Sequence, residues 1–280
     1  MISVVVPVGG FDQDLLDQIE ALAHQRTDTD FEVVISANTV EALGSLRATN
    51  LPPRFRVIDS TAVVGPSAAR NAGWRSATGE VILFCDADDV VSSEWVQRLG
   101  ELSVSHAIVG GPLDYDLLNR QGRGRWVHDW SKGLPTKFGH LPFLPSANLG
   151  VSRQLLEDLN GFNEGLRACE DTDLCWRAQE LGNDIGFDPA AVVHYRLRTS
   201  YRATWRQSLT YGQYDVAFAL QRGIRSSWSD LTVNAVRSLA FLVRATIDPS
   251  KRHAAVGKWG VLAGRTRAAL VRPSSRRGSR

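Results

Sequence analysis

The stretch Val81-Ile82-Leu83-Phe84-Cys85-Asp86-Ala87-Asp88-Asp89 decides how this chain is read. An unbroken apolar run of strand length, ended by polar residues, is the pattern of a strand buried on both faces. In open α/β sheets ligands collect at the carboxyl ends of such strands, and here that end carries three acids. Side chains alternate along extended chain, so Asp86 and Asp88 are expected to point one way and Asp89 another. Two carboxylates side by side repel unless a cation lies between them. A hard divalent ion such as Mg²⁺ or Mn²⁺ supplies that charge and commonly bridges to substrate phosphates. The competing reading is an acidic turn in which Asp88 or Asp89 caps a helix starting near Ser92.

Working outward, similar runs at 3–8, 32–36, 55–59 and 107–111 read as further strands. Between them, 14–24 carries Leu15, Leu16, Ile19 and Leu22 at helical spacing, and 66–77 is a helix closed by Gly79. Strand–helix–strand alternation predicts right-handed crossovers and a mostly parallel central sheet flanked by helices, an α/β fold. The pattern breaks at 112–145, a long irregular stretch around Trp126 and Trp130; loops of that length are functional or mobile. Order resumes at 149–159 and 171–181, and a last strand at 191–194 ends the domain. Helical patterns follow at 203–222 and 229–246, then a weaker one to about 270. From Arg272 the composition is that of a disordered terminus.

Three other groups stand where chemistry is plausible. Glu170-Asp171-Thr172-Asp173 opens a helical pattern; the helix dipole accounts for acids there, and a general base is the alternative. His194 ends the last strand, where a neutral imidazole could join a metal held by the Asp pair, although a lone histidine is more often structural. Arg70 lies just inside the helix that follows Gly65-Pro66 and suits either an anion, with a diphosphate the obvious one, or plain solvent.

These pieces occur in a familiar order: Ser3-Val4-Val5-Val6-Pro7-Val8, then Gly65-Pro66-Ser67-Ala68-Ala69-Arg70-Asn71-Ala72-Gly73, then Gly79 through Asp89, Ser146-Ala147-Asn148-Leu149, Gly161-Phe162-Asn163-Glu164, and Glu170 through Ala178. The series resembles the family-2 glycosyltransferases of GT-A fold, enzymes that use nucleotide-activated sugars. The resemblance implies that Asp86, Ala87 and Asp88 form the DxD element holding a Mg²⁺ or Mn²⁺ and the nucleoside-diphosphate sugar. It implies that Asp171 is the catalytic base of an inverting displacement, with Glu170 beside it. It further implies that His194 completes the metal site, that Arg70 lies near the nucleotide, and that Pro7 and Val8 border base and ribose. Relatives end the second strand in an acidic turn that contacts the base; here the stretch is Val34-Ile35-Ser36-Ala37-Asn38-Thr39, without an acid. Asn38 is left to meet a base edge, and UDP, dTDP and GDP all stay open as donors. Acceptor contacts are expected from Asn148 and from Trp126 and Trp130, whose faces can stack on sugar rings, with core packing the expected fate of at least one of the two. On this reading residues 1–200 are the catalytic domain, with 1–111 the nucleotide-sugar half and 112–200 the acceptor and base half. Residues 201–271 form a basic helical appendage, and 272–280 a tail.

Composition and charge agree with an ordinary globular chain. Of 280 residues, 43 % are hydrophobic and 22 % charged, with a net charge of +2. Three cysteines without CxxC spacing argue against a disulfide framework and for a reducing compartment. Met1 runs directly into the first strand with no leader pattern, and no apolar run approaches the ~18 residues of a membrane span. A cytoplasmic protein is expected. The small net charge is a cancellation. From Arg196 onward 17 basic residues face three acids, while the first 195 residues carry 15 against 27. Arg, Trp and Leu interleave in the basic helices, which either pack on the catalytic domain or a second subunit, leaving a homo-oligomer open, or lie on an anionic membrane surface. No nucleic-acid motif accompanies the arginines. The function expected is transfer of a sugar to a glycan or lipid-linked acceptor, with peripheral membrane attachment. The alternatives are a catalytically silent nucleotide-sugar-binding subunit and a sugar nucleotidylyltransferase. The latter lacks the Arg expected in its phosphate loop, since Val8-Gly9-Gly10-Phe11 has none. The G-x-G-x-x-G of a dinucleotide-dependent oxidoreductase is also absent.

Overall fold

The computed structural model describes residues 1–119, 127–224, 245, 248 and 251–270. The chain divides into two compact units. The first comprises Met1–Leu118 and His128–Leu197; the second, among the described residues, is chiefly 198–224 and 251–270.

The first unit is a seven-stranded sheet with helices on both faces. Its strands are β1 (Ile2–Val8), β2 (Phe31–Ala37), β3 (Phe55–Asp59), β4 (Val81–Phe84), β6 (Ile108–Gly110), β8 (Leu149–Ser152) and β9 (Ile185–Phe187), in the order β3-β2-β1-β4-β8-β6-β9. All neighbouring pairs are parallel except those made by β8, which runs antiparallel to β4 and β6. The sheet is thus mostly parallel, as predicted. The strand at 107–111 differs from expectation in its neighbour, because β8 separates β6 from β4.

Period-two alternation explains the two layers. Val4, Val6 and Val8 of β1, Val33 and Ile35 of β2, and Leu83 and Cys85 enter one core; Val5, Val34, Ile82 and Phe84 enter the other. The first layer is closed by α1 (Gln13–Ala23), α2 (Val40–Arg47) and α4 (Trp95–Leu102), the second by α3 (Pro66–Ser76), α5 (Arg153–Asp158) and α6 (Glu170–Glu180). Gly73 lets α3 lie against the sheet, since a Cβ there would overlap Val5. The stretch expected as one ordered run at 149–159 is β8 turning directly into α5.

The last strand is shorter than 191–194. It is β10 (Val193–His194), which sits between β5 (Val90–Val91) and β7 (Leu113–Asp114) in a separate three-stranded sheet. The order of the main sheet reverses between β1 and β4: β2 and β3 extend to one side and β4 begins the other. The crevice at such a switch point is where doubly wound sheets bind ligands, and Pro7, Val8 and Asp86 lie at its strand ends.

The second unit is described from α7 (Tyr201–Gln221) and a later helix, α8 (Arg252–Leu270). They approach closely, because a Cβ at Gly212 or Gly264 would overlap the facing carbonyl of Val261 or Leu209. Arg265 binds Asp215 across the pair through Nη2 and Nε, at 2.6 and 3.0 Å. Among the described residues no helix is long and apolar enough to cross a membrane. The helix expected at 229–246 and the tail from Arg272 lie outside the described residues.

Candidate active site

The acids after β4 form one compact group. Asp86, Asp88 and Asp89 bring carboxylate oxygens within 4.8 Å of one another. Neither Asp88 nor Asp89 caps a helix, since α4 starts only at Trp95 and Glu94 is its N-cap. Asp89, expected to point elsewhere, belongs to the group, because the chain bends here before entering β5 and strict alternation no longer applies.

Like charges this close must be held by their surroundings. Gln18 of α1, fully buried, donates from Nε2 to the Asp86 carbonyl at 3.0 Å and accepts from Val91 N–H at 3.1 Å. Arg196 donates its backbone N–H to Asp89 Oδ1 at 2.8 Å and its Nε–H to the Asp88 carbonyl at 3.0 Å. Arg70 Nη2 meets Asp86 Oδ1 at 2.6 Å. An all-oxygen, net-anionic donor set of this size suits a hard divalent cation such as Mg²⁺ or Mn²⁺. Cys85 beside it is no competing ligand: burial, then the charges of Asp86 and Asp89, push its thiol pKa well above the usual range.

Arg70 is not a surface anion binder. It is 3 % exposed, and its guanidinium joins Asp86 to Glu170, with Nη1 3.2 Å from Glu170 Oε1. Burial opposes its charge, but Asp86 and Glu170 together raise its pKa above the ordinary value. Its Nε–H is buried without a hydrogen-bond partner among the described residues.

Glu170 and Asp171 open α6. The Glu170 carboxyl is raised to about 7, first by burial, then by the neighbouring charge of Asp171, against the pull of Arg70. Asp171 is more open. Its Oδ1 accepts from its neighbour Thr172 N–H at 2.6 Å, and its Oδ2 lies 3.4 Å from Ser146 N–H. Asn71, next to Arg70, joins the same region: Nδ2 donates to the Phe162 carbonyl and to Glu164, at 2.9 and 2.7 Å, while Oδ1 accepts from Phe162 N–H at 2.9 Å. The helix α3 therefore ties the 161–164 turn and the start of α6 to the strand end of β4.

Other expected contacts are placed differently. Asn38 donates from Nδ2 to the carbonyls of Ser60 and Val63 at 2.7 and 2.9 Å and accepts from Gly65 N–H at 2.6 Å. Its amide is spent on the loop before α3 rather than on a base edge. Asn148 is completely buried: Oδ1 accepts from Trp95 Nε1 at 2.8 Å, and Nδ2 donates to the Pro112 and Ala191 carbonyls at 2.9 and 2.8 Å. It is a structural cross-link with no atom left for a substrate. Trp130 donates its indole N–H to the Leu113 carbonyl at 3.1 Å and stacks on Phe187, so it is partly buried against the core. Trp126 lies outside the described residues. His194 is not within the carboxylate group; its Nδ1 lies 2.7 Å from Asp114 Oδ2 across the small sheet. Asp114 is held below the usual carboxylate range: burial opposes this, but hydrogen bonds from His194 and from the N–H groups of Asp116 and Leu117 outweigh it.

A family model described as glycosyl transferase family 2 matches residues 3–159, more than half of the chain and the whole of its switch point. The chain belongs to glycosyl transferase family 2. Among curated relatives of this family-2 chain, a pre-mycofactocin glycosyltransferase of Mycobacterium tuberculosis is 29 % identical over 157 residues, covering 53 % of this chain and 33 % of the relative. The chain thus spans about a third of that protein's length. The succinoglycan biosynthesis protein ExoO of Rhizobium meliloti is 27 % identical, covering 64 % of this chain and 56 % of its own. Among solved structures, the mannosyltransferase PcManGT of Pyrobaculum calidifontis, in complex with GDP-Man and Mn²⁺, matches with a TM-score of 0.66 at 16 % identity, over 96 % of this chain and 86 % of that one. TarS of S. aureus, residues 1–349 in complex with UDP-GlcNAc, matches with a TM-score of 0.56 at 16 % identity, over 96 % and 92 %. The family-2 chain has the GT-A fold of these neighbours, with a C-terminal helical appendage.

Proposed function

We propose that the protein is an inverting glycosyltransferase that moves a sugar from a nucleoside-diphosphate sugar to a hydroxyl of a glycan or lipid-linked acceptor. The observation that carries this reading is the joining of two acidic groups at the switch point by one buried arginine: Asp86 on one side, Glu170 beside Asp171 on the other. Residues 1–111 then hold the donor, bordered by Pro7, Val8 and Ala87, and 112–200 supply the base and the acceptor side. Asp86, Asp88 and Asp89 would hold a Mg²⁺ or Mn²⁺, which when bound neutralises charge developing on the departing nucleoside diphosphate. Asp171 takes the proton of the acceptor hydroxyl as that oxygen attacks the anomeric carbon from the face opposite the diphosphate, inverting it. Ser146 N–H orients that carboxylate, and Arg70 keeps Asp86 and the start of α6 in fixed relation. A neighbour bound to GDP-Man with Mn²⁺ and another bound to UDP-GlcNAc support the donor class and the metal. The nucleotide and the sugar are read best by assay: with Mn²⁺ and a panel of GDP-, UDP- and dTDP-sugars, donor turnover is expected from one nucleotide class. Full activity after chelation overturns the metal assignment, and near-normal transfer by Asp171→Asn overturns the base.

The basic helices are proposed to rest on an anionic lipid surface at the cytoplasmic face, which suits a lipid-linked acceptor. Arg252, Lys258 and Arg267 lie on α8, and residues 251–270 hold no acid; Lys251 and Arg265 are paired with Asp248 and Asp215. Co-sedimentation with anionic vesicles at low salt, lost at high salt, is the expected result; no sedimentation at low salt overturns it.

A further inference from the structure

The small sheet ends beside the carboxylate group. Its strand β10 pairs antiparallel with β5 in the register His194 with Val90. Continued two residues, that register sets Arg196 opposite Asp88. The strand itself stops at His194, and the residues beyond it need other bonds to stay against the acids. Tyr195 N–H bonds to the Asp114 carbonyl at 2.7 Å on the β7 side. Arg196 supplies the bonds on the other side: its backbone N–H lies 2.8 Å from Asp89 Oδ1, and its Nε–H 3.0 Å from the Asp88 carbonyl.

The far side of the same guanidinium is gripped by α1. Arg196 Nε lies 3.1 Å from Asp14 Oδ1, and Nη2 lies 3.3 Å from Asp17 Oδ2. The helix dipole accounts for Asp14, an acid of the first turn, but not for Asp17 on the same cation. An isolated surface ion pair contributes little. Here the side chain is only 24 % exposed, and its planar fork meets a carbonyl and two carboxylates at once. Asp14, Asp17 and Gln18 stand at i, i+3 and i+4 on one face of α1, and Gln18 holds the Asp86 carbonyl. One helix face thus reaches all three acids, Asp86 through Gln18 and the other two through Arg196.

We propose that Arg196 is a positioning residue of the metal site, a latch held by Asp14 and Asp17 that keeps Asp88 and Asp89 in the arrangement a Mg²⁺ or Mn²⁺ needs. This role rests on reading the three acids as the seat of a divalent cation. Its sign separates it from plain electrostatics. A cationic side chain beside a cation site repels the ion, whereas a partner that fixes the ligands from behind favours it. Removing Arg196 therefore tightens metal binding if charge is all that it supplies, and weakens it if the residue holds the ligands in place.

The test titrates the full chain with Mn²⁺, alone and with GDP or UDP, and reads the bound ion by electron paramagnetic resonance. Salt at about 0.5 M screens the longer-range charge effects of the substitutions. Arg196→Ala is expected to weaken Mn²⁺ about 10–100-fold. Asp14→Asn with Asp17→Asn leaves Arg196 and the three acids in place and should weaken it about 3–10-fold. The same pair should have no further effect once Arg196→Ala is present, the non-additivity of groups that act through one another. An arginine with only a structural role would lower Tm and leave the Mn²⁺ affinity of the folded protein unchanged. Tighter or unchanged Mn²⁺ in Arg196→Ala overturns the latch, as does a loss from the Asp14 and Asp17 substitutions that is equal with and without Arg196. If Arg196→Ala does not fold, the Asp14 and Asp17 substitutions decide alone, and unchanged affinity overturns the latch. A wild type that binds no Mn²⁺, with or without nucleotide, overturns the metal reading and the latch with it.

Discussion

The two acidic groups of the site are built in opposite ways. Asp86, Asp88 and Asp89 stand at a strand end and are held from afar: Gln18, Arg70 and Arg196 reach them across 68, 16 and 107 residues of chain. Glu170 and Asp171 stand at a helix start: Asp171 is held by its neighbour Thr172 and by Ser146 25 residues away, while Glu170 is reached by Arg70 across 100 residues. The first group is a crowded set of carboxylates, an all-oxygen donor set of the kind that suits a hard cation. The second sets one buried, hard-to-ionise carboxyl beside one open carboxylate. Arg70 touches both. Acids alike in sequence thus acquire different chemistry from the elements that end or begin at them.

Replacing the open carboxylate should give the largest effect. Asp171→Asn is expected to lower transfer about 10³-fold while leaving Mn²⁺ affinity, read by electron paramagnetic resonance, as in wild type. Asp88→Asn should do the reverse in binding, losing Mn²⁺ first. Equal loss of metal by both variants would erase the distinction between the groups.

Breaking the bridge comes next. Arg70→Met leaves Asp86 and Glu170 facing an uncharged side chain and should cost about 3–5 kcal/mol in chemical denaturation. Adding Glu170→Gln should recover part of that cost, since one of the stranded charges is gone. Unchanged stability of the single variant would mean that the bridge contributes nothing.

A smaller change tests how the strand-end group is held. Gln18→Ala removes the clamp on the Asp86 carbonyl and should weaken Mn²⁺ about 10–100-fold, the effect of losing a partner one layer behind the ligands. Unaltered affinity would mean that the strand end needs no support from α1.

The smallest effect is in pH dependence. The raised Glu170 carboxyl keeps its proton in the folded chain at pH values where the unfolded chain, near 4.5, has lost it. Its contribution to stability is therefore complete below about 4.5 and lost as pH rises through about 7. Relative to Glu170→Gln, wild type should lose Tm between pH 5 and pH 8. Parallel Tm profiles for the two proteins would show that Glu170 is not raised.

Much of this was legible in the residues. The apolar run at 81–85 and its fellows announced a mostly parallel sheet, and the acids behind it announced a site, because burial on both faces and period-two alternation leave marks in sequence. Asp89 was missed because a bend after β4 cancels the alternation used to place it. Gln18 and Asn71 were missed because a buried amide that satisfies distant carbonyls looks in sequence like any surface amide. Asn38, Asn148 and Trp130 looked like substrate contacts for the same reason: a polar or amphipathic side chain near a strand end carries no local sign of whether its partners are protein or ligand.

The chain by itself determined the fold class, the split between acidic and basic parts, and the two acidic motifs, since these depend on periodicity and on neighbours along the backbone. The tertiary structure alone decided that Arg70 is buried between the two groups and that Asp89 completes the first of them. Those are meetings of residues from about 16 to 107 positions apart, and their energies come from desolvation and charge that exist only once the chain has closed around them.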